Sequence, residues 1–388
     1  MTNRELKYWL ALKWAEGVGN VGFTALVDVF GSPKEVFNAS LRDLRETTGI
    51  GQKTAGAIKS FSQWEQVEEE LELASKHKVS IITYHDPLYP KYLLNIYDFP
   101  TLLYVKGSLR KEDVVVAVVG SRAASAYGRF STERLCRELA AKGVVVASGL
   151  ARGIDTAAHR GSLTGRGRTI AVLGCGIDII YPPENKELFE KIPVQGAIIT
   201  EYPFGTPPNG PNFPARNRII SGISLGVVVV EANDKSGSLI TARMALEQGR
   251  EVFAVPGSID AAGSKGTNKL IKQGAKLIEN ADDILEEILP QTGINVEELS
   301  RKEGKTARRN NETLLMNDQI AKGQAPVQEL TDGERKLLEH VTSDPINIDA
   351  LIAITGEKAG AILNTLLLLE LKGQISQLPG KTFIRKGQ

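Results

Sequence analysis

Asn212-Phe-Pro-Ala-Arg-Asn-Arg-Ile-Ile220 sets an aromatic ring, two arginines and an asparagine in one short stretch, and an apolar run then leads to Lys235-Ser-Gly-Ser238. Arginine forks and helix N-termini both bind phosphate oxygens. A ring beside them offers a face on which a base can stack. No acid, histidine or cysteine with a clear chemical task lies among these residues. Such a set suits holding a phosphate-bearing polymer and not cutting one.

A sheet edge is needed to position these groups. From 111 to 290 the sequence alternates β-branched runs with helical patterns. Strands are expected at Val114–Val119, Val144–Ala147, Thr169–Leu173, Ala197–Thr200, Gly226–Glu231, Glu251–Val255 and Lys276–Ile278, with helices at 127–142, 153–164, 238–248 and 266–273. Near-continuous Val/Ile/Ala runs fit strands buried on both faces of a parallel sheet. The expected fold class is α/β, a Rossmann-like, doubly wound, mostly parallel sheet.

In such sheets ligands bind beyond the carboxyl ends of the strands. Four strand ends carry small, glycine-rich turns: Val119-Gly-Ser-Arg-Ala-Ala-Ser125, Ser148-Gly-Leu-Ala-Arg-Gly-Ile-Asp155, Lys235-Ser-Gly-Ser238, and Pro256-Gly-Ser followed by Gly263-Ser-Lys-Gly-Thr-Asn268. Together they bring Arg122, Arg152, Lys235 and Lys265 to one edge. Glycine lets backbone approach a ligand closely.

The nearby chemical groups have simpler readings. Asp155 reads as a first-turn acid that complements the helix dipole, and His159 as a structural histidine. Ser121, Ser236 and Ser238 sit in no nucleophile elbow and suit capping or phosphate contact. Glu201 and Glu231 end strands, where they orient arginines, contact a ribose or form a pair of acids. Gly174-Cys-Gly176 reads as a tight turn. The dinucleotide fingerprint is missing after the first strand, and no phosphate loop of the ATPase type occurs.

Residues 1–75 read as a helical domain with two glycine turns, Gly17-Val-Gly19 and Gly49-Ile-Gly51, each followed by a helical run. They resemble paired helix-hairpin-helix units, whose turns either hold a phosphate or simply close a small bundle. Residues 76–110 read as a connector with a short strand at Leu102-Leu-Tyr-Val-Lys-Gly107, and 291–328, with the basic run Arg301–Arg309, as a linker. Residues 329–388 read as a winged-helix-like domain: a capping box at Thr331 and Glu334, helices near 348–354 and 357–371, and a hairpin at Gln374–Leu378 and Thr382–Arg385. Its would-be recognition helix is mostly leucine, which favours an accessory or protein-contact role over base reading.

A chain of 388 residues suggests two or three domains. The net charge of +1 means that a nucleic-acid partner needs a local basic patch. The two cysteines, Cys136 and Cys175, lack metal-ligand spacing and suit a reducing cytosol. No apolar run approaches the roughly 20 residues that span a bilayer. The expectation is a cytoplasmic protein with no cofactor, no metal and no membrane partner.

With these residues in hand, the chain resembles the DNA-processing protein A family (DprA, also called Smf). The matching motifs are Gly120-Ser-Arg122, Ser148–Asp155, Phe213–Ile220, Lys235–Ser238, and Pro256-Gly-Ser with Gly266-Thr-Asn268, in order across the central domain. The resemblance implies single-stranded DNA binding without strong sequence preference, loading of the recombinase RecA, protection of incoming strands in natural transformation, and a homodimer. It implies no enzymatic activity. Carried over by motif, Arg122, Phe213, Arg216, Asn217, Arg218 and Lys235 would line the DNA pocket. Gly120, Ser121, Gly149, Arg152, Ser236 and Ser238 would contact phosphates. A similar sheet serves nucleoside-monophosphate phosphoribohydrolases, but their catalytic glutamate corresponds to Leu270, which cannot act as a base.

Overall fold

The structure is a computed structural model that describes residues 3–293, 332–342, 346–356, 374–378 and 382–385, together with positions 362, 365, 366 and 369. It divides into two compact units, residues 1–309 and 310–388.

The first unit opens with six helices: α1 (Asn3–Trp14), α2 (Asn20–Phe30), α3 (Pro33–Asn38), α4 (Leu41–Glu46), α5 (Gln52–Lys59) and α6 (Trp64–Lys76). Their apolar faces bury Trp9, Leu12, Phe23, Leu26, Leu44 and Ile58 in one core that also takes Tyr104, Leu173 and Ile198 from the sheet. Gly19 and Gly51 cap α2 and α5. The two glycine turns lie together, and Lys53 beside the second pairs with Glu16 beside the first at 2.6 Å.

There follow β1 (Val79–Thr83), β2 (Leu102–Gly107), β3 (Val115–Val119), α7 (Ala126–Ala141), β4 (Val145–Ser148), α8 (Ile154–Thr164), β5 (Thr169–Val172), α9 (Lys186–Gln195), β6 (Ala197–Thr200), α10 (Asn212–Gly222), β7 (Gly226–Val229), α11 (Ser238–Glu247), β8 (Glu251–Ala254), α12 (Lys265–Lys272), β9 (Lys276–Leu277) and α13 (Ala281–Ile288). The strands form one sheet in the order β1-β2-β6-β5-β4-β3-β7-β8-β9. β3 to β9 are parallel, whereas β1 and β2 are antiparallel additions beside β6. Strand order reverses at β3 and β7, the boundary where open α/β sheets bind ligands.

The valine run of β3 shows why the sheet is two-sided. Val115, Ala117 and Val119 point into the core under α10 and α11, and Val114, Val116 and Val118 into the core under α7, α8 and α13. A period of two puts alternate residues on opposite faces. A buried bidentate pair, Arg168 with Asp113 at 3.0 Å, ties the start of β5 to the approach to β3.

Three differences from the expected elements matter. Val79–Thr83, within the segment read as a connector, forms β1, which pairs with the expected strand Leu102–Gly107 as β2 beside β6. α9 was masked in sequence by Pro193, which lies in its last turn. α10 was left without secondary structure, because Pro214 interrupts its first turn and its polar residues dilute the apolar stripe.

In the second unit, α14 (Asp332–Glu339) and α15 (Ile348–Thr355) accompany a three-stranded sheet of β10 (Ile346–Asn347), β12 (Thr382–Arg385) and β11 (Ile375–Leu378). Leu337, Leu351, Ile362, Leu366, Leu369 and Phe383 form its core. Leu366 and Leu369 of the leucine-rich segment thus pack inward. Thr331, most of 357–371 and the expected linker from 294 onward lie outside the described residues.

His159 on α8 is wholly buried. Its Nδ1 lies 2.8 Å from Thr169 Oγ1, whose proton goes to the Val146 carbonyl. The ring therefore donates through Nδ1. Burial, aided by the nearby Arg216 charge, lowers its pKa to about 3 from 6.5. The unfolded chain takes up this proton below pH 6.5 and the fold does so only near 3. Stability from the neutral ring is thus complete above pH 6.5 and lost as pH falls. At pH 5 the loss is about 2 kcal/mol. Urea denaturation from pH 5 to 7.5 should show a shallower pH slope in His159→Gln; equal slopes would contradict this reading.

Candidate functional site

A narrow cleft opens at the carboxyl ends of β3, β4 and β5. Its walls include Arg122 from the turn after β3, Gly149 and Arg152 from the turn after β4, Gly174 and Cys175 after β5, and Phe213 from the first turn of α10. The Arg122 guanidinium lies 5.4 Å above the centroid of the Phe213 ring. Tyr181 stands 5.5 Å from the same ring, inclined by 31°. Gly174 lets the ring lie against the backbone, because a Cβ there would come within 3.0 Å of Phe213 Cδ1. No carboxylate pairs with Arg122 among the described residues. The exposed cation therefore keeps its donors for a ligand while its flat face rests on an aromatic ring.

The floor is held from below. Arg216, one helical turn after Phe213, is only 3% exposed. Its Nη1 donates to the carbonyls of Gly149, at 2.9 Å, and Val172. Asp155 accepts from the amides of Gly149 and Ala151 at 3.1 and 3.3 Å. A Cβ at Gly149 would collide with both Arg216 and Asp155. Burial pushes each toward its neutral form, Asp155 upward and Arg216 down to about 10. Arg216 remains a cation at neutral pH, so it underlies the cavity with positive charge without reaching into it. Arg216 was expected to line the pocket, and the structure places it beneath.

Arg218 is also committed. Its Nη2 meets Glu201 Oε2 at 2.6 Å and its Nε meets Asp98 Oδ2 at 3.0 Å, with the side chain 12% exposed. Asn217, between the two arginines, is half-buried and outside the cavity lining. Gly120 and Ser121 serve the turn itself: the Ser121 amide donates to the Glu231 carbonyl at 2.7 Å, and its carbonyl accepts from Ile154 at 3.1 Å. Arg152 is exposed and pairs with Glu184 at 2.7 Å. Exposed pairs of this kind contribute little, so a phosphate can compete for the guanidinium.

Lys235 lies exposed on the turn after β7, across the strand-order boundary. Among the described residues it has no ion-pair partner. The hydroxyls of Ser236 and Ser238 bond to each other at 2.8 Å at the start of α11. Two other helix starts are filled by the protein's own carboxylates. Glu231 accepts from the Ser125 amide and hydroxyl before α7, and Asp155 fills the turn before α8. This leaves Arg122, Arg152 and Lys235 as the accessible cations of the predicted set.

Several contributors were missed in sequence. Asn185 is buried and donates to the carbonyl of Leu150 at 2.9 Å. That contact holds Leu150 in a left-handed conformation, φ 55°, a strained state for a branched residue. Tyr181 and Pro182 complete the wall. The only signal was the Pro182-Pro183 pair, which marks a turn. Cys175 also lines the cavity, and burial raises its thiol to about 11, which keeps it protonated and unreactive. Leu270 packs against the sheet core. Among the described residues no group of three or more His, Cys, Asp or Glu side chains could hold a metal, and no helix is long and apolar enough to cross a membrane.

Residues 80–289 match the profile of DNA recombination-mediator protein A, and residues 321–381 that of the DprA winged helix domain. The Smf protein of Synechocystis sp. is 36% identical over 405 residues, covering 100% of both chains. The X-ray structure of DNA processing protein A from Streptococcus pneumoniae aligns with a TM-score of 0.65 and 38% identity, over 74% of this chain and 98% of that one. A structure of DNA processing protein A from Helicobacter pylori, described for its single-stranded DNA binding mode, aligns with a TM-score of 0.50 and 32% identity, over 56% of this chain and 98% of that one.

The burial of Arg216 and the exposure of Arg122 separate two roles. Arg216→Ala leaves Asp155 without its counter-charge and two carbonyls without their donor, and should cost about 3–5 kcal/mol. Arg122→Ala should change stability by about 0.5 kcal/mol or less. Urea denaturation of both variants checks this; equal losses would contradict the assignment of Arg216 to the frame.

Proposed function

The chain belongs to the DNA recombination-mediator protein A family, and we propose that it holds single-stranded DNA in the cavity over β3, β4 and β5. The observation that carries this reading is the exposed Arg122 lying over Phe213 in the wall of the cavity. A phosphate meets the exposed Arg122, with Arg152 and Lys235 continuing the track. An unpaired base stacks on Phe213 or Tyr181, which duplex DNA cannot offer without unstacking. Each base has a π-face and each nucleotide a phosphate, so the site accepts any sequence. The single-strand binding named for the Helicobacter pylori relative supports this reading.

The protein acts by binding and breaks no bond. Glu201 and Glu231 are engaged with Arg218 and Ser125, His159 is buried and neutral, and Cys175 is a thiol. In the recombination pathway we assign it protection of incoming single strands during natural transformation and delivery of them to RecA in the cytoplasm. A homodimer joins two such cavities and raises avidity on a long strand. The winged-helix unit buries Leu337, Leu351, Leu366 and Leu369 and serves as an accessory domain.

Arg122→Ala and Lys235→Ala should each weaken binding to all sequences about equally. Each should also lower the slope of log K against log salt by about 0.7, the share of one phosphate contact on a single strand. Titrations across a salt series test this. An unchanged slope in both variants would sink the proposed track.

A further inference from the structure

A second cavity opens beyond the end of β6. Leu10, Lys13 and Trp14 of α1 form one side, and Leu102, Tyr104, Glu201, Tyr202 and Pro203 the other. We propose that this cavity is a second nucleobase subsite on the path of the strand held at Phe213. The proposal rests on the single-strand reading above.

Three observations point to a base. The walls are aromatic, with Trp14 and Tyr202 both half-buried and open to the cavity. The polar groups come as a donor beside an acceptor. Lys13 Nζ is bonded to Asn20 Oδ1, which leaves further protons for a base carbonyl or ring nitrogen. Glu201 gives Oε2 to Arg218, and its Oε1 has no hydrogen-bond partner among the described residues. A carboxylate beside an ammonium reads the donor–acceptor edge of a base and repels a phosphate. Beside Glu201, Arg218 Nη1 is buried without a partner, a donor that a bound base edge or an ordered water would satisfy.

Two hydrogen bonds link the walls of the two cavities. Thr200 Oγ1 donates to the carbonyl of Cys175, in the wall of the first, and accepts from the amide of Tyr202, in the wall of the second, at 2.9 and 3.1 Å. α10 borders both. Phe213 faces the first, and Arg218, five residues on and about 7.5 Å along the axis, braces Glu201 in the second. A polar chain also ties the helical region to this helix: Lys13 to Asn20, Asn20 Nδ2 to the Asp98 carbonyl at 3.1 Å, and Asp98 to Arg218. With their walls two hydrogen bonds apart, the second cavity lies within reach of a strand leaving the first.

The test compares oligo-dC with a strand of equal length that lacks bases, titrated against wild type, Tyr202→Ala and Tyr202→Phe. Tyr202→Ala should lose roughly 5- to 150-fold in affinity for the base-bearing strand and keep its affinity for the abasic one. Tyr202→Phe, which retains the ring, should bind as wild type does. If Tyr202→Ala weakens both strands equally, or neither, the subsite is overturned. Arg122→Ala in parallel separates the two claims. If it weakens both strands while Tyr202→Ala weakens neither, the first cavity stands and only the subsite falls. If Arg122→Ala also leaves both unchanged, the single-strand reading itself fails.

Discussion

The site depends on a buried cation. Arg216 donates to Gly149 after β4 and to Val172 at the end of β5, and so ties α10 to two parallel strands at once. Asp155 faces it across Gly149 and gathers the amides of the turn before α8. A charge without water is tolerated only where carbonyls and an opposite charge replace that water. Once Arg216 is fixed, Phe213 one turn earlier has a defined place over Gly174, and Arg122 a ring on which to lie.

The same principle decides which helix starts remain open to a ligand. Parallel sheets deliver several helix N-termini to one edge, and each attracts an anion. Here Glu231 occupies the start of α7 and Asp155 the turn before α8. Internal carboxylates satisfy the amides of those two starts, whereas the start of α11 carries only the hydroxyls of Ser236 and Ser238. On the proposed reading, affinity comes from accessible guanidinium and ammonium groups, and discrimination against duplex from the aromatic wall.

Much of this was legible in the sequence. The valine runs of β3 and β7 announce a two-faced sheet, because only strands covered on both sides can bury every residue. The glycine turns, Arg122 and Phe213 could be placed at the strand ends. The separate roles of Arg216 and Arg218 could not be read. Both lie in one motif, and only the packing of α10 turns the first toward backbone carbonyls and the second toward Glu201 and Asp98. The contribution of Asn185 and Tyr181 was equally hidden, since a loop after β5 carries no periodicity that would aim it back at the turn before α8. β1 was lost within a proline-rich segment, and α10 behind Pro214.

The central claim is that Phe213 under Arg122 makes the protein a reader of unpaired strands. Fluorescence anisotropy with a labelled single-stranded oligonucleotide and unlabelled duplex competitor, on wild type and Phe213→Ala, tests it most directly. The account predicts that duplex competes poorly against wild type and that Phe213→Ala loses most of this preference while retaining salt-dependent binding. A preference for single strands that survives Phe213→Ala unchanged would contradict it.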